Sequence, residues 1–496
     1  MQSSKATTGL APVSGAEPYA ELKLFIAGEW VAKGSRKSQP VVSPATGEVI
    51  GELPHASTED LDRALEAARD NFPRWRALAP HERGKILRKA ADLLRERTER
   101  IARIATLEEG KTLAEARWEV GLSAEIFEWY AEEGRRAYGR VLPQRASGVR
   151  MTVVKEPVGP VAGFAPWNFP IGNPARKIGA ALGAGCTCIV KPAEETPGSA
   201  LEVARALEDA GLPKGVLSVV FGVPAFVSTH LISSPVIRAI SFTGSVPVGK
   251  QLMKLAAEGM KRTTMELGGH GPVLVFDDVD VDQVLDMSVM AKYRNAGQVC
   301  VSPTRYYVHE RIYDRFVEGF AARAKAWRVG DGLVEGTQMG PMANPRRTAA
   351  MDMFVADARS HGGKVHAGGA PAKVEGRPKG FYYSPTVLSG VPNSARIMNE
   401  EPFGPVAIIN PFADFDAAIR EANRLPYGLA AYAFTRSAKT VNLLGEQIEA
   451  GMIGINSYQI SVPESPFGGV KESGHGSEEG IEGLEACLVT KFITES

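Results

Sequence analysis

Cysteine is scarce: the 496-residue chain has four, Cys186, Cys188, Cys300 and Cys487. That is too few for a disulfide framework and fits a reducing compartment, so a cytoplasmic protein is expected. Cys186 and Cys188 stand in the apolar run Gly185-Cys-Thr-Cys-Ile-Val190 without His or further Cys nearby. The spacing argues against zinc and for two small core residues, and no metal site is expected. Neither charge is in excess, with 57 Lys+Arg against 57 Asp+Glu, so the basic footprint of a nucleic-acid binder is missing. No uncharged apolar run reaches the roughly eighteen residues of a membrane helix. Residues 1–21 hold one lysine and no apolar signal core, and read as a loose polar arm. The eight histidines do not cluster and no Gly-x-Ser-x-Gly elbow occurs, which weakens a serine-hydrolase reading.

What the chain does have is enough apolar residues, 44%, to bury a sizeable core, and a length that suggests two or three domains. Residues 80–105 alternate apolar and charged positions at helical spacing and predict one amphipathic helix. From about residue 148 short apolar runs alternate with helical stretches. Strands are predicted at 150–155, 158–164, 186–190, 216–221 and 237–242, and helices at 174–182, 202–210 and 248–257. Alternation of this kind implies βαβ units in a doubly wound parallel sheet that binds ligands at strand carboxyl ends. A second α/β stretch runs from about 271 to 474. The terminal strand 488–493 must pair, either with 150–155 or with a neighbouring subunit.

Several motifs carry chemistry. Asn295-Ala-Gly-Gln-Val-Cys300 is a turn-prone segment that can present one thiol to a cleft, although a lone cysteine is more often core. Glu266, inside the apolar run Thr264-Met-Glu-Leu-Gly-Gly269, is costly to bury ionised; its pKa is then pushed toward a general base's range. The alternative is an edge residue or an ion-pair partner. Asn168, in Pro166-Trp-Asn-Phe-Pro170 at a strand end, can donate to an oxyanion, an interaction worth about 3–4 kcal/mol, or can simply turn the chain. Asn173-Pro174 reads as helix cap and first helical residue. Arg176 then falls in the first turn, against the macrodipole, and needs another reason to be there. Phe242-Thr-Gly-Ser245, leading to Gly249-Lys250-Gln251, can hold a pyrophosphate on a helix N-terminus. It also nearly matches a P-loop, with Gln251 where Ser or Thr should stand, so nucleotide hydrolysis is the alternative from another class. Lys191 and Glu194 suit ribose hydroxyls, and Glu401 with Phe403 suits a ribose and a nicotinamide face. His270 is the nearest partner for a thiol hydrolase.

The ordered series PWNFP (166–170), KPAEETP (191–197), FTGS (242–245), ELGG (266–269), GQVC (297–300), EEPFGP (400–405) and PFGG (466–469) resembles the aldehyde dehydrogenase superfamily over nearly the whole chain. The stretches NPARKIGAALGAGCT, FDDVDVDQ, YRNAGQVC and GLAAYAFTRS resemble succinate-semialdehyde dehydrogenases most. The resemblance implies an α/β fold with a Rossmann-type cofactor domain (22–141 and 161–267), an α/β catalytic domain (268–474) and a small β oligomerisation arm (142–160 and 475–496) of a homodimer or homotetramer. It implies NAD(P)-dependent oxidation of a small-molecule aldehyde to an acid, with Cys300 as nucleophile, Asn168 and the Cys300 N–H as oxyanion donors, and Glu266 as the base for water. Cofactor contacts fall on Ala165, Pro166, Trp167, Lys191, Ala193, Glu194, Phe242, Thr243, Gly244, Ser245, Leu267, Glu401 and Phe403. Arg176 and Arg294, helped by Ser461, would hold a distal carboxylate, for which a guanidinium fork is suited. Glu194 favours NAD over NADP because a carboxylate repels a 2′-phosphate. Ser302 stands where the group often has a second cysteine, so no adjacent redox partner is expected. His270 replaces the usual Asn, and the substrate-side loop 458–464 leaves an aromatic, keto-acid or sulfonated aldehyde open.

Overall fold

The computed structural model describes Tyr19 and residues 21–496; the expected polar arm falls outside them except for Tyr19 and Glu21. Eight strands form one sheet in the order Glu29–Val31, Leu24–Ile26, Leu217–Val219, Cys188–Lys191, Val161–Phe164, Ala239–Gly244, Arg262–Leu267, Gly474–His475. The middle five are parallel. Val161–Phe164 and Cys188–Lys191 are buried at every position, which is why they read as unbroken apolar runs rather than alternating ones. Chain order reverses between Val161–Phe164 and Ala239–Gly244. That is the switch point at which open α/β sheets leave a crevice, and the Pro166–Pro170 and Phe242–Ser245 motifs sit on its two lips.

A second, seven-stranded sheet has Thr386–Ser389, Val406–Phe412, Pro303–His309, Gly271–Val275, Ala430–Phe434 and Met452–Ile455 in parallel, with Lys364–Ala367 antiparallel at one edge. Each sheet has its own apolar core. One gathers residues between Leu22 and Leu267 plus Leu484, Cys487 and Leu488; the other gathers residues between Val273 and Phe467. The chain crosses directly from one to the other through Gly268-Gly269-His270. Cys186 and Cys188 are buried in the first core, as the sequence suggests. The terminal strand Leu488–Glu495 pairs antiparallel with Arg150–Pro157, whose other edge takes Arg140–Leu142. Among the described residues no helix is long and apolar enough to cross a membrane.

Two helices differ from expectation. The stretch 80–105 divides into Pro80–Glu96 and Thr98–Glu109. Thr98 turns its hydroxyl back to the Arg95 carbonyl at 2.7 Å, a local bond that competes with the helix ladder. The helix expected from Pro174 begins at Gly172 and runs to Ala184. Asn173 is therefore not its cap, and Arg176 lies beyond the first turn. The starting N–H groups of Ile171 and Gly172 are instead satisfied by Glu119 Oε1, at 2.8 and 3.0 Å.

Candidate active site

Cys300 follows the helix Val281–Tyr293 and a tight turn in which Asn295, Ala296 and Gly297 all have positive φ, 50°, 51° and 71°. Such backbone is held only where the surroundings over-determine it. Here the Asn295 N–H donates to Glu115 Oε1 (2.7 Å), Gln298 Oε1 accepts from Ala343 N (2.9 Å), and a Cβ on Gly297 would strike the Gly404 carbonyl at 2.2 Å. The turn leaves the thiol half-buried. Burial and the neighbouring Glu266 raise its pKa well above that of a free cysteine, so the sulfur must pass its proton to a base before it can attack.

Glu266, near the end of Arg262–Leu267, is 1% exposed, and neither carboxylate oxygen has a hydrogen-bond partner among the described residues. Burial first, then the charge of Glu478, push its pKa up to about 7, against the pull of Arg176 and Lys177. An unpartnered buried carboxylate with this pKa is equipped to take a proton near neutrality. Asn168 is also buried. Its Oδ1 accepts from Asn173 Nδ2 (3.4 Å) and its Nδ2 donates to the Gln298 carbonyl (3.1 Å). This fixes the amide orientation and leaves one of its two N–H donors unspent. The Cys300 backbone N–H has no protein acceptor among the described residues. The expected oxyanion pair is thus a pair of free donors.

Two cavities meet at Cys300. The larger, about 480 Å³, is lined by Pro166, Trp167, Asn168, Thr243, Gly244, Ser245, Glu266, Leu267, Glu401 and Phe403, and also by Asn344, Arg346 and Arg347. Ser245 is the N-cap of the helix Val246–Glu258 but caps nothing with its side chain, and no acidic residue occupies the first turn. A helix start left open in this way fits a pyrophosphate. Glu401, pushed up to about 8 by burial, accepts from the Gly269 N–H at 3.1 Å. Phe403, at φ 46°, stands edge-on to Trp167 at 5.6 Å. Of the other expected cofactor residues, Ala165, Lys191, Ala193, Glu194 and Phe242 lie outside this cavity's lining. Lys191 and Glu194 pair with each other at 2.5 Å, and Glu194 accepts from the Gly222 N–H at 3.2 Å.

The second cavity is narrow, about 30 Å³, and is lined by Arg176, Arg294, Ser461 and Cys300 together with Trp118, Phe169 and Phe467. The two expected arginines differ. Arg176 is spent on Glu479 (2.8 Å), Asn173 Oδ1 (3.3 Å) and Ser461 Oγ (3.0 Å), and stacks over Phe467. The Arg294 guanidinium has no hydrogen-bond or ion-pair partner among the described residues and lies over the rings of Trp118 (5.3 Å) and Phe169 (5.9 Å). It is the cation with capacity to spare. Sequence reasoning missed Trp118, Phe467, Glu479 and the buried set Lys177–Glu478, in which Lys177 Nζ donates to Glu478 (2.7 Å) and Thr243 (2.6 Å). Phe467 stands in the PFGG run and Lys177 in the NPARK run, but neither run assigns them a role, and Trp118, Glu478 and Glu479 belong to no local motif that marks them.

Two alternatives fall. Lys250 does not point into the nucleotide cavity: its ammonium pairs with exposed Glu472 at 2.7 Å. Gly249 serves close packing, since its Cβ would meet Leu267 at 2.5 Å. The P-loop reading is corrected accordingly. His270 does not assist the thiol; it is buried, bonded to Thr304 Oγ1 (2.6 Å) and the Ile397 carbonyl (2.8 Å), and burial holds its pKa well below the ordinary value.

A cavity of about 480 Å³ and a buried carboxylate converge on one thiol beside two N–H groups left without acceptors among the described residues, an arrangement that can oxidise a carbonyl through a covalent thiol adduct. The chain belongs to the aldehyde dehydrogenase family, whose model matches residues 30–493, and it is an NAD(P)-dependent dehydrogenase. It is 49% identical to 4-(hydroxymethyl)benzenesulfonate dehydrogenase TsaD1 of Comamonas testosteroni, over 95% of this chain and 97% of that protein. It is 41% identical to the succinate-semialdehyde dehydrogenase [NADP(+)] GabD of Escherichia coli K12, over 95% and 96%. The crystal structure of succinate-semialdehyde dehydrogenase from Burkholderia pseudomallei superimposes with a TM-score of 0.93 at 42% identity, covering 96% of this chain and 98% of that one.

Proposed function

We propose that the chain oxidises aldehydes that carry an anionic group at the far end, succinate semialdehyde foremost, to the corresponding acid. The observation that carries the reading is Arg294: an unpaired guanidinium in the narrow cavity that opens on Cys300. Glu266 takes the thiol proton, and Cys300 Sγ bonds to the aldehyde carbon to give a thiohemiacetal. The oxygen of that adduct accepts from Asn168 Nδ2 and the Cys300 N–H. A nicotinamide held on the Phe403 side would supply the acceptor for the hydride that the carbon loses, and a thioester would then remain on Cys300. Glu266 gives the thiol proton up to solvent and, as carboxylate again, takes a proton from water as the water oxygen bonds to the thioester carbon. The C–S bond then breaks, and the departing thiolate takes that proton back from Glu266, releasing acid and thiol.

Ser245 and the first turn of Val246–Glu258 would hold the pyrophosphate, Glu401 a ribose, and Phe403 the nicotinamide side. The Lys191–Glu194 pair supports NAD as the preferred cofactor: Glu194 is held by Lys191 and the Gly222 N–H, and a carboxylate at the adenosine ribose would repel a 2′-phosphate. Residues 22–141 and 161–267 serve as cofactor domain, 268–474 as catalytic domain, and 142–160 with 475–496 as the arm of a cytoplasmic homodimer or homotetramer. The half-exposed Phe492 and Ile493 of that arm are suited to cover by a second subunit.

A ring-bearing sulfonated aldehyde is the second reading. It is favoured by the aromatic walls Trp118, Phe169 and Phe467 and by the name of the 49% identical relative. The cavity as it stands is too small for either substrate tail; Trp118, 46% exposed, is the wall most free to turn aside. Steady-state NADH formation with succinate semialdehyde, 4-formylbenzenesulfonate and hexanal separates the readings. Equal kcat/KM for hexanal and both anions would overturn the anionic-aldehyde proposal.

A further inference from the structure

The start of the helix Leu113–Glu133 reaches both loops that carry the proposed chemistry. Its residues Glu115 and Glu119 are four apart and therefore share a face. Glu115 Oε2 is occupied in capping this helix at Thr112, while Oε1 accepts the Asn295 N–H, in the turn that presents Cys300. Glu119 Oε1 accepts the N–H groups of Ile171 and Gly172, just after Asn168. Its Oε2 binds Lys111 Nζ at 2.6 Å, and the same ammonium donates to the Asn168 carbonyl at 2.9 Å and lies 4.4 Å over the Phe169 ring. Asn295 Nδ2 donates to that same carbonyl, at 2.9 Å. Lys111 and Glu119 are both essentially inaccessible, 1% and 0% at the side chain.

A buried ion pair is weak evidence for stability, since desolvation offsets most of its attraction. Buried pairs can instead fix geometry. We propose that Lys111 and Glu119 are positioning residues: together they hold the Asn168 loop against the Cys300 turn, so that the Asn168 amide meets the oxygen of the adduct. Lys111 grips the loop on the Asn168 carbonyl and Glu119 grips it three and four residues later, so the segment that carries the Asn168 amide cannot drift. Lys111 lines neither cavity; Glu119 borders the narrow one, but both its oxygens are turned to Lys111 and to the Ile171 and Gly172 N–H groups. Misplacing a reacting group by about 1 Å costs on the order of a hundredfold in rate, comparable to losing one oxyanion donor.

The proposal rests on Asn168 being an oxyanion donor, and the test separates the two. Lys111→Met, Asn168→Ala and the double variant are assayed for kcat, aldehyde KM, NADH burst rate and NAD affinity. Lys111→Met is expected to lower kcat and burst rate by about a hundredfold, with aldehyde KM and NAD affinity changed less than about threefold. In the Asn168→Ala background, Lys111→Met is expected to cost under about threefold, because the group it positions is gone. Equal costs in both backgrounds would overturn the proposal and leave Lys111 a general structural residue. No slowing in Asn168→Ala alone would overturn the oxyanion reading itself. If Lys111→Met gives no folded enzyme, Glu119→Gln, which keeps the shape and an acceptor for the Ile171 and Gly172 N–H groups, is run through the same cycle; independence from Asn168 there is equally fatal.

Discussion

The nucleotide-side cavity is assembled from strand ends and helix starts, whereas the narrow cavity across Cys300 is assembled from long side chains sent in from distant segments. On the first side, Pro166–Asn168, Thr243–Ser245 and Glu266–Gly268 each follow or end a strand of one parallel sheet. On the second, Trp118 comes from a helix, Phe169 from a loop, Arg294 from a turn, and Ser461 and Phe467 from loops of the other half. Backbone presents peptide donors and recognises what all dinucleotides share. Side chains can be exchanged without disturbing the sheet, which suits the side that chooses among aldehydes.

If this division is right, changes at the junction should be the most severe. Cys300→Ala should abolish turnover, a fall of at least about ten-thousandfold, with NAD affinity unchanged by fluorescence titration. Loss of NAD binding in that variant would break the comparison, since the thiol would then belong to the nucleotide side. Glu266→Gln should lower kcat by about a hundredfold to ten-thousandfold; a single burst of NADH should keep its amplitude but form more slowly, because the thiol must then give its proton to solvent. The pH dependence follows from the raised pKa of Glu266. The base acts as carboxylate, so the deacylation rate of the wild-type enzyme should rise with pH through about 7 and fall below it. That inflection should vanish in Glu266→Gln; an unaltered profile would assign it to another group.

The same division explains what could be read in advance. That Pro166–Asn168, Thr243–Ser245 and Glu266–Gly268 border one crevice was legible because each is contiguous and sits where a strand pattern stops, so a local signal marks a three-dimensional place; Lys191 and Glu194, at another strand end, fall outside that lining. Cys300 itself was not decisive; its meaning came from Asn168 and Glu266, both in recognisable runs. Trp118, by contrast, is one more apolar position on an amphipathic helix, and Glu478 and Glu479 are two acids in a loop. The Asn173 cap was misread for the same physical reason. The real acceptor, Glu119, lies 53 residues earlier, and no window centred on the helix start contains it. The split of 80–105 turned on one Thr98 hydroxyl, which periodicity does not weigh.

On the substrate side, Arg294→Leu should reduce kcat/KM for succinate semialdehyde by about tenfold to a hundredfold, the range expected for one charge-assisted hydrogen bond, and leave hexanal within about threefold. Steady-state kinetics on the two aldehydes reads this directly. Arg176→Leu is a poorer probe, because it strands buried Glu479 without its cation.

The smallest expected effect discriminates most finely. Trp118 presents its ring beneath the Arg294 guanidinium and beside the path to Cys300. A flat substrate ring gains an aromatic contact there, worth about 0.5–1.5 kcal/mol, whereas a four-carbon chain gains little and is mainly crowded. Trp118→Ala should therefore lower kcat/KM for 4-formylbenzenesulfonate by about threefold to tenfold and leave succinate semialdehyde unchanged or faster. Paired measurements on one enzyme preparation remove errors in active-site concentration, so a ratio this small is readable. A fall for succinate semialdehyde as large as that for the ring would mean that Trp118 acts only by holding Arg294 in place, and that the aromatic wall chooses no ring at all.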